Sequence, residues 1–330
     1  MDWNWYWNYK FIIDSRTKIL YNFLSSNTKI IRLSFMRFPI IDSHHHIWKQ
    51  SDLDWLQGEI QPRIFGDYTP IKKDYLIDDF IEDVVDFGVA QSVYIQCNWP
   101  IDKYHEEAKF VDDSFNNSGW PNAFIGYCNL LDPNAPEMLD KLFDYPLTRG
   151  IRMQLHWHER ELYSFASAPD IMEDSIFNNN FEYLAKKESI FELQVFQSQL
   201  NHTKNLLSRF PDTTFVLQHA GMPHDLSNSG WAEWNTFMES LAEYENLFIK
   251  LSGLGTFINK NDPEFISNIV QKVLANYPSD RCLFGSNFPI EKIWCNYGDL
   301  INAFQMATRN IPIADQKNIF HNTASKVYGI

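Results

Sequence analysis

Eight short β-rich runs, each followed by a polar turn and a helix-compatible stretch, set the folds open to this chain. The runs are FPIID (38–42), QSVYIQ (91–96), AFIGYCNL (123–130), RGIRMQL (149–155), IFELQV (190–195), TFVLQH (214–219), LFIKLS (247–252) and CLFGSN (282–287). Between them lie stretches such as YLIDDFIEDVVDFG (75–88), FEYLAKKE (181–188), QLNHTKNLLSRF (199–210), WAEWNTFMESLAEY (231–244) and PEFISNIVQKVLANY (263–277), whose apolar residues recur at helical spacing. SRFPDTTFVLQH shows the junction: a helix stops before Pro211, a turn follows, and a strand begins. Strands alternating with helices imply βαβ units and a parallel sheet. Eight units over residues 38–330 predict a single-domain α/β (β/α)8 TIM barrel, a fold of roughly 250 residues or more. A doubly wound open sheet is the alternative, but no Gly-rich phosphate loop follows the first run.

The barrel domain is read as residues 36–330, because Met36 opens MRFPIIDSHHH like a natural start. Residues 1–35 lack the parts of a signal peptide and have no clean period. They read as an N-terminal extension, poorly ordered or arising from a mis-called start; a segment packed on the domain is the alternative. With 28 basic and 42 acidic residues the chain has a net charge of -14, which excludes the electrostatic footprint of nucleic-acid binding and disfavours anionic membrane surfaces. No stretch approaches the roughly 20 apolar residues of a membrane span. Cys97, Cys128, Cys282 and Cys295 lie far apart and form no CxxC pair, which fits a reducing compartment and a cytoplasmic location. The expected partner is a small-molecule substrate.

A barrel of this kind places its chemistry at the C-terminal ends of the strands. The run ends carry Asp42, His44 and His46; Gln96; Arg152 and Gln154, followed by His156, Trp157 and His158; Gln194; Gln218 and His219; Lys250 and Ser252; and Ser286 and Asn287. Side chains alternate along a strand, so His44 and His46 share a face and His45 takes the other, toward the barrel wall or a loop. A His-x-His pair on one face can hold a metal ion or a polarised substrate group; a chance cluster on a loop is the plain alternative. Five of the ten histidines, His44, His46, His156, His158 and His219, fall at or just past the ends of runs one, four and six, which raises the pair above chance. Arg149 and Arg152 bracket run four, and one of them could hold a substrate carboxylate bidentately or form a structural ion pair. Gln96, Gln154 and Gln194 are candidate substrate hydrogen-bonders or satisfied core residues. Trp48, Trp55 and Trp157 are candidate pocket walls. His105, His202, His224 and His321 carry no signal.

IDSHHHIW resembles the Asp-x-His-x-His opening of the amidohydrolase superfamily. DLDWLQGEI, RGIRMQLHWH, VLQHAGMP, RCLFGSNFPIEK and NIFHNTASKVYGI resemble, in the same order, its amidohydrolase-related branch of sugar-lactone and dicarboxylate-lactone hydrolases and related decarboxylases. The resemblance implies a divalent metal, often zinc, or a metal-free site of the same layout. It assigns metal ligation to His44, His46 and His219, and it puts the eighth-strand general base at Asn287. Asn287 departs from the pattern, since an amide cannot take a proton at neutral pH. FELQVFQSQ has no strand-five histidine and GIRMQL no lysine for a bridging carbamate, so a binuclear centre is not expected. Three histidines would leave the open position that zinc chemistry needs. The base then falls to His158, or second to His156. The expected catalytic set is His158, His219 and Asn287, with Gln96, Arg152, Gln154, His156 and Gln194 binding substrate. The expected activity is hydrolysis of a small lactone or cyclic ester by water. The alternatives are a metal-dependent decarboxylase of the same superfamily, and a barrel that has lost catalysis and binds a metabolite.

Overall fold

Each of the eight runs forms a strand: β1 (Ile40–His45), β2 (Val89–Ile95), β3 (Ala123–Gly126), β4 (Thr148–Ile151), β5 (Ile190–Leu193), β6 (Thr214–Leu217), β7 (Leu247–Leu251) and β8 (Cys282–Phe284). The structure is a computed structural model that describes residues 38–330, so the extension expected at residues 1–35 lies outside the described residues. The strands pair in parallel in the order β1 to β8. Helices α1 (Ile77–Val84), α2 (Tyr104–Ser118), α3 (Ala135–Phe143), α4 (Ser175–Ala185), α5 (Leu200–Arg209), α6 (Asn228–Leu241), α7 (Pro263–Asn276) and α8 (Tyr297–Thr308) follow the strands in turn. Two shorter helices, α9 (Ile313–Lys317) and α10 (Thr323–Tyr328), come after them. This is the (β/α)8 barrel, and it sits in one sequential pass of the chain.

Local signals set the helix starts. Asp174 accepts from the backbone N–H groups of Ile176 and Phe177 at the head of α4, and Asp262 accepts from those of Glu264 and Phe265 at the head of α7. Pro263 then opens α7 at the position where a missing N–H costs nothing. Along α7 the buried residues are Ile266, Ile269, Val270 and Val273, the stripe of an amphipathic helix on a barrel wall.

Two apolar layers result. Outward-facing strand residues such as Tyr94, Phe124, Phe191 and Phe215 pack with the helices. Inward-facing Ile41, Val93, Ile95, Ile125, Val216, Phe248 and Leu283 fill the barrel together with Ala324 and Tyr328 of α10. Tyr328 donates its hydroxyl to Glu192 of β5, which also takes a 2.6 Å ion pair from Lys250 of β7 and a 3.1 Å bond from Gln218. Arg149 donates to the Tyr328 carbonyl at 2.9 Å, so this arginine fastens α10 and Arg152 is the one that reaches the mouth. Lys250 and Glu192 are both fully buried, and burial pushes Lys250 down to about 8 against the pull of Glu192.

At the mouth β2 to β8 end sooner than their β-rich runs, because the chain leaves the ladder to build a rim, whereas β1 runs on to His45. Past β8, Ser286 donates its N–H to Asp42 at 2.8 Å, Asn287 donates to the His44 carbonyl at 2.7 Å, and His46 donates to the Phe288 carbonyl at 2.7 Å. These bonds close β8 onto β1. Among the described residues no helix is long and apolar enough to cross a membrane.

Candidate active site

The closing seam of the barrel is also the floor of its pocket. His44, at the irregular end of β1, packs its ring against His46 at 5.1 Å between centroids and against His219 at 4.9 Å. His46 and His219 line the pocket, and His44 lies fully buried beneath them. The Nδ1 of His46 meets the Ile95 carbonyl at 2.7 Å, which fixes the proton on Nδ1 and leaves Nε2 as a lone pair. The Nδ1 of His219 lies 2.9 Å from the Ser252 hydroxyl. Among the described residues neither ring nitrogen of His44 has a hydrogen-bond partner. Burial, with the nearby charge of Arg152, pushes His46 and His219 down to about 3. All three rings are therefore neutral at pH 7.

Arg152 and the glutamines complete the polar surface. Arg152 is buried, donates to Gln218 at 3.1 Å and to the Gln96 carbonyl, and keeps an Nε–H with no partner. Burial lowers it only to about 10, so it stays a cation. Gln154 and Gln194 meet through a parallel bridge, and each has an Oε1 with no partner. His156 is buried with an unpaired Nδ1 and is held near about 3 by burial and by Arg152. Arg152, Gln154, His156, Gln194 and Asn287 all line the pocket with His46 and His219. Trp48, Trp55, Phe65, Phe165 and Phe257 form an aromatic collar around them.

Backbone strain concentrates here. His219 (φ 53°), Ala220 (φ 50°), Met222 (φ 51°) and Asn287 (φ 60°) adopt the left-handed conformation without being glycine, at a cost of about 1 kcal/mol or more each. Gly253 (φ 58°) passes under His219, where an added Cβ would fall 2.5 Å from Nδ1.

Three residues from the expected set stand elsewhere. His158 is outside the pocket lining: its Nδ1 accepts from the Arg160 N–H at 2.9 Å, and its Nε2 faces Nε2 of His224 at 3.1 Å. Its lone pair is thus already engaged. Gln96 is fully buried behind Arg152, with Oε1 taken by the Asn98 N–H at 2.7 Å. Trp157 does not line the pocket. His45 stacks on Phe80 of α1 at 3.8 Å, on the wall side. Asp42 binds backbone N–H groups of His44 and Ser286 and the Tyr297 hydroxyl, and burial pushes it up to about 6. Two participants have no counterpart in the sequence reading: Glu192, whose partner Lys250 lies two strands away, and Glu291, buried behind Asn287.

The donor set invites a test for metal. Three neutral imidazoles suit zinc chemically. Among the described residues no three His, Cys, Asp or Glu side chains are already gathered at ligand spacing around one point. His44, with neither ring nitrogen partnered among the described residues, and the neighbouring His46 and His219 are the side chains that would hold an ion, whose charge would there polarise a carbonyl or a water.

A family model described as Amidohydrolase matches residues 41–330. The uncharacterized protein y4mH of Sinorhizobium fredii is 29% identical over 293 residues, covering 88% of this chain and 98% of that protein. An L-fucono-1,5-lactonase of Burkholderia multivorans is 23% identical over 303 residues, covering 88% and 96%. A crystal structure of an amidohydrolase from Burkholderia multivorans with bound zinc superposes with a TM-score of 0.73 at 20% identity, covering 88% of this chain and 99% of that one.

Proposed function

The chain belongs to the amidohydrolase family, and from that premise we propose that it opens a small, hydroxylated lactone by water attack at the barrel mouth. The observation that carries this reading is the set of buried, unpaired polar atoms around one pocket: Arg152 Nε, Gln154 Oε1, Gln194 Oε1 and His156 Nδ1. Leaving such atoms unpaired costs free energy on the order of 1–3 kcal/mol each, which a ligand with matching groups recovers. Glutamine oxygens accept from hydroxyls, and a guanidinium N–H donates to a carbonyl. A sugar lactone presents both. The lactonase name of a relative supports the same class.

In this reading Arg152 Nε–H binds the lactone carbonyl oxygen and stabilises the oxyanion that forms there. Asn287 orients the water. The free nitrogen of His219, set opposite its Ser252 contact, takes the proton as the new C–O bond forms. An imidazole held near 3 is a weak base at rest, but negative charge developing beside Arg152 raises its basicity in the transition state. When the ring C–O bond breaks, the imidazolium returns its proton to the leaving alkoxide. Lactone and water become one hydroxy acid. Four free cysteines, three of them buried, support a cytoplasmic setting for this chemistry.

The test is a panel of sugar lactones and dicarboxylate lactones followed by a pH indicator, run beside aromatic acids followed for CO2 release. Acid release from a hydroxylated lactone is expected. CO2 release, or no turnover with saturable binding alone, would sink the proposal.

A further inference from the structure

A carboxylate stands one helical turn behind the amide of Asn287. The backbone N–H of Glu291 donates to the Asn287 carbonyl at 3.2 Å. The Glu291 side chain is fully buried, and among the described residues neither of its oxygens has a well-formed hydrogen bond. It lies against the Asn287 amide and the Gly255 backbone N–H, both of which favour its charged form. The cradle exists because residue 255 is glycine: a Cβ there would fall 2.7 Å from Oε2 of Glu291. The adjacent cation, Lys292, is committed to Asp83 at 2.5 and 2.7 Å. Cys295 is the titratable neighbour on the far side, its thiol held neutral at about 12, and His46 faces Asn287 from the pocket side, neutral as well. An isolated buried carboxyl is costly to keep without a task, and burial pushes Glu291 up to about 8.

We propose that Glu291 is a positioning residue of this site, setting which end of the Asn287 amide faces the pocket. The ionised carboxylate accepts from Nδ2–H of Asn287, so Oδ1 turns to the pocket and can accept from water. The protonated acid donates to Oδ1 instead and turns the N–H2 outward. One asparagine thus presents an acceptor or a donor according to a group that substrate never touches. The role in orienting water rests on the hydrolytic reading above; the amide switch itself does not.

The experiment uses the full chain and two readouts. In protein labelled with nitrogen-15 asparagine, the Asn287 side-chain signal is identified by its loss in Asn287→Ala. Its shift is expected to titrate above the ordinary carboxylate range in wild type and in Cys295→Ala, and to stay fixed in Glu291→Gln. With whichever lactone is turned over, Glu291→Gln is expected to lower kcat at least about tenfold above the pH at which Glu291 ionises, with KM within about twofold, and Glu291→Asp to recover part of the loss. Asn287→Ala with Glu291→Gln should be no slower than Asn287→Ala alone. An Asn287 signal that titrates alike in Glu291→Gln, a titration lost in Cys295→Ala, or additive losses in the double variant overturns the proposal. If wild type opens no lactone, the hydrolytic reading fails, and the labelled-amide titration still decides Glu291.

Discussion

Asn287 hands its backbone N–H to the His44 carbonyl at 2.7 Å, across the seam where β8 meets β1. The bond joins residues at opposite ends of the barrel sequence. It means the pocket floor and the barrel closure are one structure: anything that opens the seam separates Asn287 from the imidazoles.

Replacing Arg152 by lysine removes the Nε–H and the planar fork while keeping a charge. A lysine ammonium cannot serve Gln218, the Gln96 carbonyl and a ligand carbonyl together. We expect kcat/KM to fall at least about a hundredfold, near 2.7 kcal/mol of transition-state stabilisation, with the fold intact by circular dichroism. Lysine activity close to wild type would show that charge alone suffices.

Gly253→Ala forces a Cβ toward the His219 ring and holds alanine at a positive φ. The backbone term is about 1 kcal/mol, and the ring must move as well. Activity should drop at least about tenfold, with a thermal midpoint lower by several degrees. Unchanged kinetics would mean that His219 tolerates displacement and is not the base.

His156 gives a pH dependence with a definite sign. Its folded pKa of about 3 lies below the ordinary 6.5, so the unfolded chain binds the extra proton. Stability attributable to this residue is whole above pH 6.5 and is lost as pH falls toward 3. Between pH 7 and 5 the loss should be about 2 kcal/mol, and His156→Gln should remove that part of the slope in urea titrations. A wild-type and variant slope that coincide would refute the burial argument.

Glu192→Gln leaves the buried Lys250 ammonium without its carboxylate. A loss of about 3–5 kcal/mol is expected, and Glu192→Gln with Lys250→Met should regain most of it. Equal instability of the single and double variants would count against an ionised pair.

Asn287→Asp adds a negative charge beside imidazoles that are neutral at pH 7. Zinc affinity measured by calorimetry should rise at least about tenfold, or 1.4 kcal/mol. Equal affinities would mean that the charge at residue 287 is irrelevant to metal.

The sequence made the strands legible because each β-rich run is short and bounded by a turn, and strand alternation alone separated His45 from its two neighbours. Strand ends were less legible. Ser286 and Asn287 continue the β-rich run, but they spend their N–H groups on β1. His158 looked equivalent to His156 by spacing. What separates them is His224, a residue 66 positions away whose Nε2 meets that of His158. Glu291 stands with Lys292 as the charged pair in the otherwise apolar stretch FPIEKIWC (288–295), and its cradle at Gly255 comes from a loop that local pattern does not report.

The hydroxyl that α10 sends to Glu192 makes this helix part of the barrel's interior. Tyr328 and Ala324 stand among the inward-facing strand residues, and the Lys250–Glu192 pair is kept from water only while that helix is seated. The helix is thus a stopper for the barrel axis, and unseating it would wet a charged pair that the fold otherwise holds dry.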